Sequence, residues 1–326
     1  MRLLGVELTR LRWRRAVLVL LLVCLVVPAL MFATTAWNTR PISDAELAHA
    51  QQQVEQLRQA QGNSYRRELR ACEQHPDRFG AGSADVCQAQ VGPQIGWFVS
   101  REPLDLRDLS RGLWPTAIVL LAGLLILLGT TFAGADWNSG SMSNQLLFEP
   151  RTLRVWAAKG AAVFVTAAVT AAVALTLFWG AFALLASARG IDTAPRVTSF
   201  IVHESARGVV LAAFGALGAF ALTMFFRSTV ATLGILFGVT LVGSLLLAAL
   251  GVSDQWFPHL NVAAWVLDGV DYYVEPPRSC QGLASEGASC SGRRTVTQAD
   301  AAAYLGVLVV VAVGLSMASF RRRDVP

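Results

Sequence analysis

The sequence predicts an all-α polytopic membrane protein with about six transmembrane helices and both termini on the cytoplasmic side. Three observations predict it. Of 326 residues, 54% are hydrophobic and only 15% charged, and the charges sit in blocks. Six apolar runs each approach the roughly twenty residues that a helix needs to cross the hydrocarbon core. The basic residues alternate with these runs so that most fall on one side of the implied membrane.

The runs lie at 16–36, 113–135, 157–187, 207–226, 229–251 and 301–320, and none contains Asp or Glu. A charge near the bilayer centre costs at least about 2.5 kcal/mol on insertion scales, so a soluble helical core would not leave such gaps. The first run follows five arginines, as a signal peptide would, but it is long and lacks a small-x-small cleavage site, which favours a retained span. Arg2, Arg10, Arg12, Arg14 and Arg15 then lie inside, with Arg151, Arg154, Lys159, Arg227 and Arg321-Arg322-Arg323. Outer span ends keep fewer basic residues. The net charge of +5 is thus a topological signal of a multi-pass plasma-membrane protein, and no basic stripe interleaved with aromatics points to nucleic acid.

Residues 1–15 place Leu4, Leu8 and Leu11 on one helical face and Glu7, Arg10 and Arg14 on another, the pattern of a cytoplasmic interfacial helix whose arginines meet lipid phosphates. A merely basic flank to the first span is the alternative. The first external segment, 37–112, opens on a capping-box pattern, Ser43 to Glu46. A polar helical stretch from Leu47 to Gln61 follows, punctuated by Gly62-Asn63, and a second runs from Tyr65 to Glu73. Leu47, Val54 and Leu57 make a thin apolar stripe, enough for a small cap and too little for an enzyme domain.

Four of the five cysteines fall in predicted external segments: Cys72, Cys87, Cys280 and Cys290. An even set outside suggests disulfides, with Cys72–Cys87 and Cys280–Cys290 the local pairings. Zinc is the rival reading, but no histidine stands at ligand spacing from them. Spans four and five are joined by little more than Phe226-Arg227-Ser228-Thr229 and must form an antiparallel hairpin. Segment 252–300 carries Trp256-Phe257-Pro258 and a short apolar run through Trp265, suited to the outer interface or a re-entrant helix. Residues 321–326 are a cytoplasmic tail.

Chemical motifs are absent from the sequence. There is no Walker A pattern, HExxH or GxSxG, and the four histidines stand apart in external or interfacial segments. No catalytic residue, metal ligand or bound cofactor is predicted for this chain. The spans also lack carboxylates, which argues against an ion-coupled carrier built on proton relays.

The most specific stretch is the cytoplasmic loop 136–156. Its turn, capped by Ser139 or Ser141, predicts a short helix reaching about Phe148, broken by Pro150. Such a helix with Met142, Leu146, Leu147 and Phe148 invites a protein partner, an interfacial helix on lipid being the plain alternative. Asp136, Gly140-Ser141, Leu146-Leu147, Pro150-Arg151 and Lys159 stand in the order of the inner loop of ABC-2 type transporter permeases, which the chain resembles. Phe226-Arg227-Ser228-Thr229 and the basic ending add to the likeness. The sequence departs in carrying Asp136 where Glu is usual, and in its long first external segment.

The resemblance implies an ABC-2 permease-like fold and a half-transporter, an exporter before an importer. Two permeases, copies or paralogues, would pair in the lipid. Each would dock a separate cytosolic ATP-binding subunit that holds ATP and magnesium and performs the hydrolysis. The coupling contact is then expected from Asp136, Asn138, Gly140, Ser141, Met142, Leu146, Leu147, Phe148, Pro150, Arg151 and Arg227. An ion-coupled or passive transporter, or a membrane sensor or scaffold, are the competing classes.

Overall fold

The computed structural model describes residues 2–99, 101, 103–274 and 292–322. Six helices in it are long and apolar enough to cross a membrane, and the fold is that of an all-α polytopic membrane protein. The chain divides into two compact units, 1–32 with 106–326, and 33–105.

The first unit begins with α1 (Arg2–Arg12), which turns at Trp13 and Arg14 into α2 (Arg15–Asn38), the first span. The second unit is built on α3 (Asp44–Gln74). Its start carries the expected capping box: the Ser43 hydroxyl accepts from the Glu46 amide at 3.3 Å, and the Ser43 amide donates to Glu46 Oε2 at 3.1 Å. The Ser43 amide hydrogen bond, with Arg101 beside the same carboxylate, holds Glu46 below the ordinary carboxylate range. Gly62 bends α3 with φ of +47°, a left-handed conformation that a side chain would strain. The two predicted helical stretches therefore meet at a break at Gly62, as expected. Ala50 and Val54 are buried while Leu47 is exposed, so the apolar stripe is rotated from the one expected. Short α4 (Cys87–Val91) is bound to α3 by the Cys72–Cys87 disulfide, the pairing expected from sequence. Cys280 and Cys290 lie outside the described residues.

The first unit resumes with α5 (Leu106–Arg111) and the span α6 (Leu113–Asn138). After a turn through left-handed Gly140 comes α7 (Ser141–Phe148). No side chain caps α7, so the predicted Ser139 or Ser141 cap is replaced by glycine geometry. The spans α8 (Thr152–Ala188) and α9 (Pro195–Phe226) follow, both longer than their apolar runs. Arg227, left-handed at φ 56°, and the Ser228 hydroxyl, accepting from the Ala231 amide at 3.2 Å, form the tight hairpin into span five. That span is α10 (Thr229–Phe237), a π turn at Gly238–Val242, and α11 (Gly243–Ala249).

Segment 252–300 holds α12 (Pro258–Leu267) and an antiparallel pair, β1 (Val270–Tyr273) with β2 (Arg293–Val296). The strands are an addition to the all-helical expectation. Asp271 accepts from Arg293 and Thr295 across them, which holds its carboxyl below its usual range. The last span is α13 (Gln298–Arg322).

The helix α9 is the hub, packed against α6, α8 and α13. Gly129 lies on the backbone of Ala216 and Gly208 on Ile118, so α6 and α9 run parallel; Gly160 beside Phe220 sets α8 antiparallel to them. A Cβ at Gly129 would overlap the Ala216 carbonyl, so this crossing requires glycine. By contrast, span five buries only 6% of its apolar window within the described structure.

The disulfide closes a sequence separation of 15 residues, and its loss from the unfolded-state constraint amounts to about 3 kcal/mol. Cys72→Ser with Cys87→Ser is expected to raise amide hydrogen exchange in 76–91 strongly while α6, α8 and α9 exchange as before. Unchanged exchange in 76–91 would show that the bond does not order this segment.

Candidate functional site

At the end of the bundle where α1 lies, five charged side chains from four parts of the chain converge. Glu7 comes from α1, Arg10 from its last turn, Arg14 from the corner after it, Asp136 from the end of α6 and Lys159 from the second turn of α8. Glu7, Asp136 and Lys159 are wholly buried, whereas Arg10 and Arg14 keep 32% and 21% of their side chains exposed. Lys159 Nζ donates to Glu7 Oε2 at 3.0 Å and to Asp136 Oδ2 at 2.5 Å. Arg14 bonds the other oxygen of Asp136, and its Nη1 donates to the Phe132 carbonyl at 2.9 Å.

The three deepest charges sum to −1, and the two arginines at the rim reverse that sign. Such a set is tolerated in a low-dielectric interior only when each charge is paired and its remaining donors and acceptors are engaged. The ring of Phe132 lies under both Lys159 and Arg14, at 5.4 and 5.0 Å. A lysine in an apolar span is thus accounted for by carboxylates brought from α1 and α6.

The same cluster holds α7. Gln145 Nε2 donates to Glu7 Oε1 at 2.5 Å, Arg10 Nη1 donates to Gln145 Oε1 at 3.1 Å, and Arg10 Nη2 bonds Ser141. Met142 is fully buried. One face of α7 is therefore pinned to α1, and the other ends in Leu147 and Phe148, which are 80% and 90% exposed. A leucine and a phenylalanine this exposed at the tip of a fixed helix form an apolar knob.

The residues expected at a partner contact divide into two groups. Leu147 and Phe148 present their side chains, Leu146 is half-buried, and Asn138, Gly140, Pro150 and Arg151 lie on the exposed surface. Asp136 and Met142 do not reach it: one is consumed by Lys159 and the arginines, the other by packing. Ser141 is engaged by Arg10, and Arg227 lies over the Trp137 ring at 4.6 Å. Sequence reasoning missed Glu7, Arg10, Arg14, Gln145 and Lys159 as one site. The available signals were the spacing of Glu7, Arg10 and Arg14 along one helical face, and the single lysine of the chain inside an apolar run. Of the arginines assigned to lipid phosphates, those at positions 10 and 14 instead serve protein groups.

A second departure concerns the start of a spanning helix. The helix α9 starts at Pro195, well before the predicted 207, and this carries Glu204 into the bundle, fully buried. The apolar run 207–226 itself holds no carboxylate, and Glu204 enters because the helix continues beyond that run. Among the described residues no group of His, Cys, Asp and Glu is arranged to hold a metal ion. The chain matches no known family model, no curated protein and no solved structure.

Removing one member of a buried ion pair strands its partner at a cost of about 3–5 kcal/mol. Lys159→Met and Asp136→Asn are each expected to lower the thermal unfolding midpoint of the detergent-purified chain. The pair Lys159→Met with Asp136→Asn should lose less than the sum of the single changes. Additive losses, measured by fluorescence-detected size-exclusion chromatography after heating, would show that the two charges are not coupled.

Proposed function

We propose that the chain is the membrane-spanning permease subunit of an ATP-binding cassette transporter, an exporter of the ABC-2 type, coupled to a separate cytosolic ATPase. The observation that carries this reading is α7: a short helix between two spans, pinned by buried charges and ending in an exposed apolar knob. A helix meant to pass a push into the membrane must be stiffly joined to the spans and must offer a surface to its driver. The link through Gln145, Glu7 and Lys159 supplies the first requirement and Leu147 with Phe148 the second. The loop order Asp136, Gly140-Ser141, Leu146-Leu147, Pro150-Arg151 and Lys159 supports the family assignment.

In this reading the α1 end faces the cytoplasm, as the arginines at 2, 10, 12, 14 and 15 favour. The disulfide-bonded second unit then lies in an oxidising compartment outside the plasma membrane. A second permease copy covers span five, where an added Cβ at Gly234 or Gly238 would meet no other helix of the described residues within 4 Å. Asp136 serves as internal support for the coupling helix, and its shorter side chain suits a pairing with Lys159 inside the protein. Magnesium and ATP belong to the partner, and the permease itself performs no hydrolysis.

The test uses the tagged full-length chain expressed in its native host. An ATPase is expected to co-purify, with Leu147→Asp plus Phe148→Asp weakening its capture at least about thirtyfold, the equivalent of losing an interface hot spot of about 2 kcal/mol. Recovery of no magnesium-dependent ATPase with the unaltered chain, or undiminished recovery with the double variant, would refute the coupling role.

A further inference from the structure

The opposite end of α9 presents a problem of a different kind from the ion cluster. Glu204 is fully buried, yet among the described residues neither of its carboxyl oxygens has a hydrogen-bond partner. Burying an ionised carboxylate with no partner costs several kcal/mol, so the packing described is suited to a neutral group or to a carboxylate with a cation.

Among the described residues, the cation that acts on this carboxyl is Arg207, and its hydrogen bonds go elsewhere. Arg207, one turn further along α9, turns its Nη2 to Asp268 at 2.9 Å and its Nη1 toward the Val266 carbonyl at 3.4 Å. His203, on the exposed side of α9, contacts the Ser199 carbonyl through Nδ1. The facing stretch of α6 contains no ionisable residue before Asp136, and α8 none between Lys159 and Arg189. In α5, Arg107, Asp108 and Arg111 point outward and are exposed. On α12 the exposed His259 lies against Phe257, and at the start of α13 the exposed Asp300 is engaged by Thr297; α10 carries no ionisable group.

What α6 does provide is a donor. With Gly208 seated on Ile118 and the two helices parallel, Glu204 lies one turn before that contact, at the level of Trp114. Trp114 is fully buried, stacked on Phe178 with ring centroids 5.2 Å apart, and its Nε1–H has no acceptor. An unused acceptor and an unused donor thus occupy the same level of two packed helices. One turn further along, the two helices are in close contact, since a Cβ at Gly208 would come within 2.9 Å of Ile118. A proton is the cation that fits without a cavity.

We propose that Glu204 is a proton-binding site: the closed packing of α6 on α9 holds the carboxyl as the acid, and proton release accompanies separation of the two helices at Trp114. On release the O–H bond breaks, the proton passes to water entering at this end of the bundle, and the carboxylate left behind is hydrated. Because the closed arrangement binds one proton more than the open one, raising the pH favours opening, by up to about tenfold per pH unit. The site requires no partner subunit and stands independently of the transport reading.

The test uses the full-length chain in lipid nanodiscs. At about pH 7, infrared spectra of wild type minus Glu204→Gln should show a carboxylic-acid C=O band, and that band should fade as the pH rises. Amide exchange in 113–118 and 201–208, corrected for its intrinsic pH dependence, should increase over the same range in wild type and stay flat in Glu204→Gln. Carboxylate bands in place of the acid band, or the same corrected exchange profile in both proteins, would overturn the proposal. If Glu204→Gln does not fold, Glu204→Asp serves: the acid band must shift in frequency and the pH-dependent exchange persist, and an unshifted band would equally overturn it.

Discussion

Lys159 places an ammonium group where water does not reach, and much of one end of the bundle is arranged to make that possible. Its two carboxylate partners come from residues 152 and 23 positions away, so pairing it draws α1, α6 and α8 together. Two buried carboxylates exceed one buried ammonium by one charge, and Arg14 on Asp136 and Arg10 beside Glu7 more than offset it. The α1 helix, which could have floated as a basic amphipathic flank, is fixed because removing Glu7 would leave Lys159 half-paired. Through Gln145 and Ser141 the same charges fix the helix between the second and third spans.

The two ends of the bundle treat buried charge differently. At the α1 end every buried charge has a partner, which makes the junction stiff and its disruption costly. At the far end Glu204 and Trp114 keep polar groups without partners within tightly packed helices. A satisfied network resists movement, whereas an unsatisfied pair is close in free energy to a hydrated, open alternative. Between the two ends α9 is packed through glycine and alanine against α6, and Trp156 hydrogen-bonds Ser316 to tie the third span to the sixth. The core is therefore suited to hinge at one end about a fixed other end.

Some features were legible because they depend on local chemistry. The six spans follow from apolar run length, the α3 start from Ser43 and Glu46, the break near Gly62 from glycine, and the helix to Phe148 from Pro150 beyond it. The Cys72–Cys87 pairing followed from proximity in the chain. Span limits were less legible: α9 continues through His203, Glu204 and Arg207 because backbone hydrogen bonding and packing against α5 and α12 outweigh the polarity of those residues. Hydropathy measures the side chains a bilayer accepts and carries no information on how far a helix runs past it.

The sequence alone determined that this is a membrane protein with six helices long and apolar enough to span, where its charges fall along the chain, and that one loop carries a short apolar helix. Those properties reside in the order of residues within one or two turns. Only the tertiary structure decided that Asp136 and Met142 face inward while Leu147 and Phe148 face out. It also decided that Glu7 and Lys159 are partners, and that Glu204 has no hydrogen-bond partner among the described residues. The reason is that burial of a charge is set by what other segments bring to it. Those segments lie tens to more than a hundred residues away, beyond the reach of any local pattern.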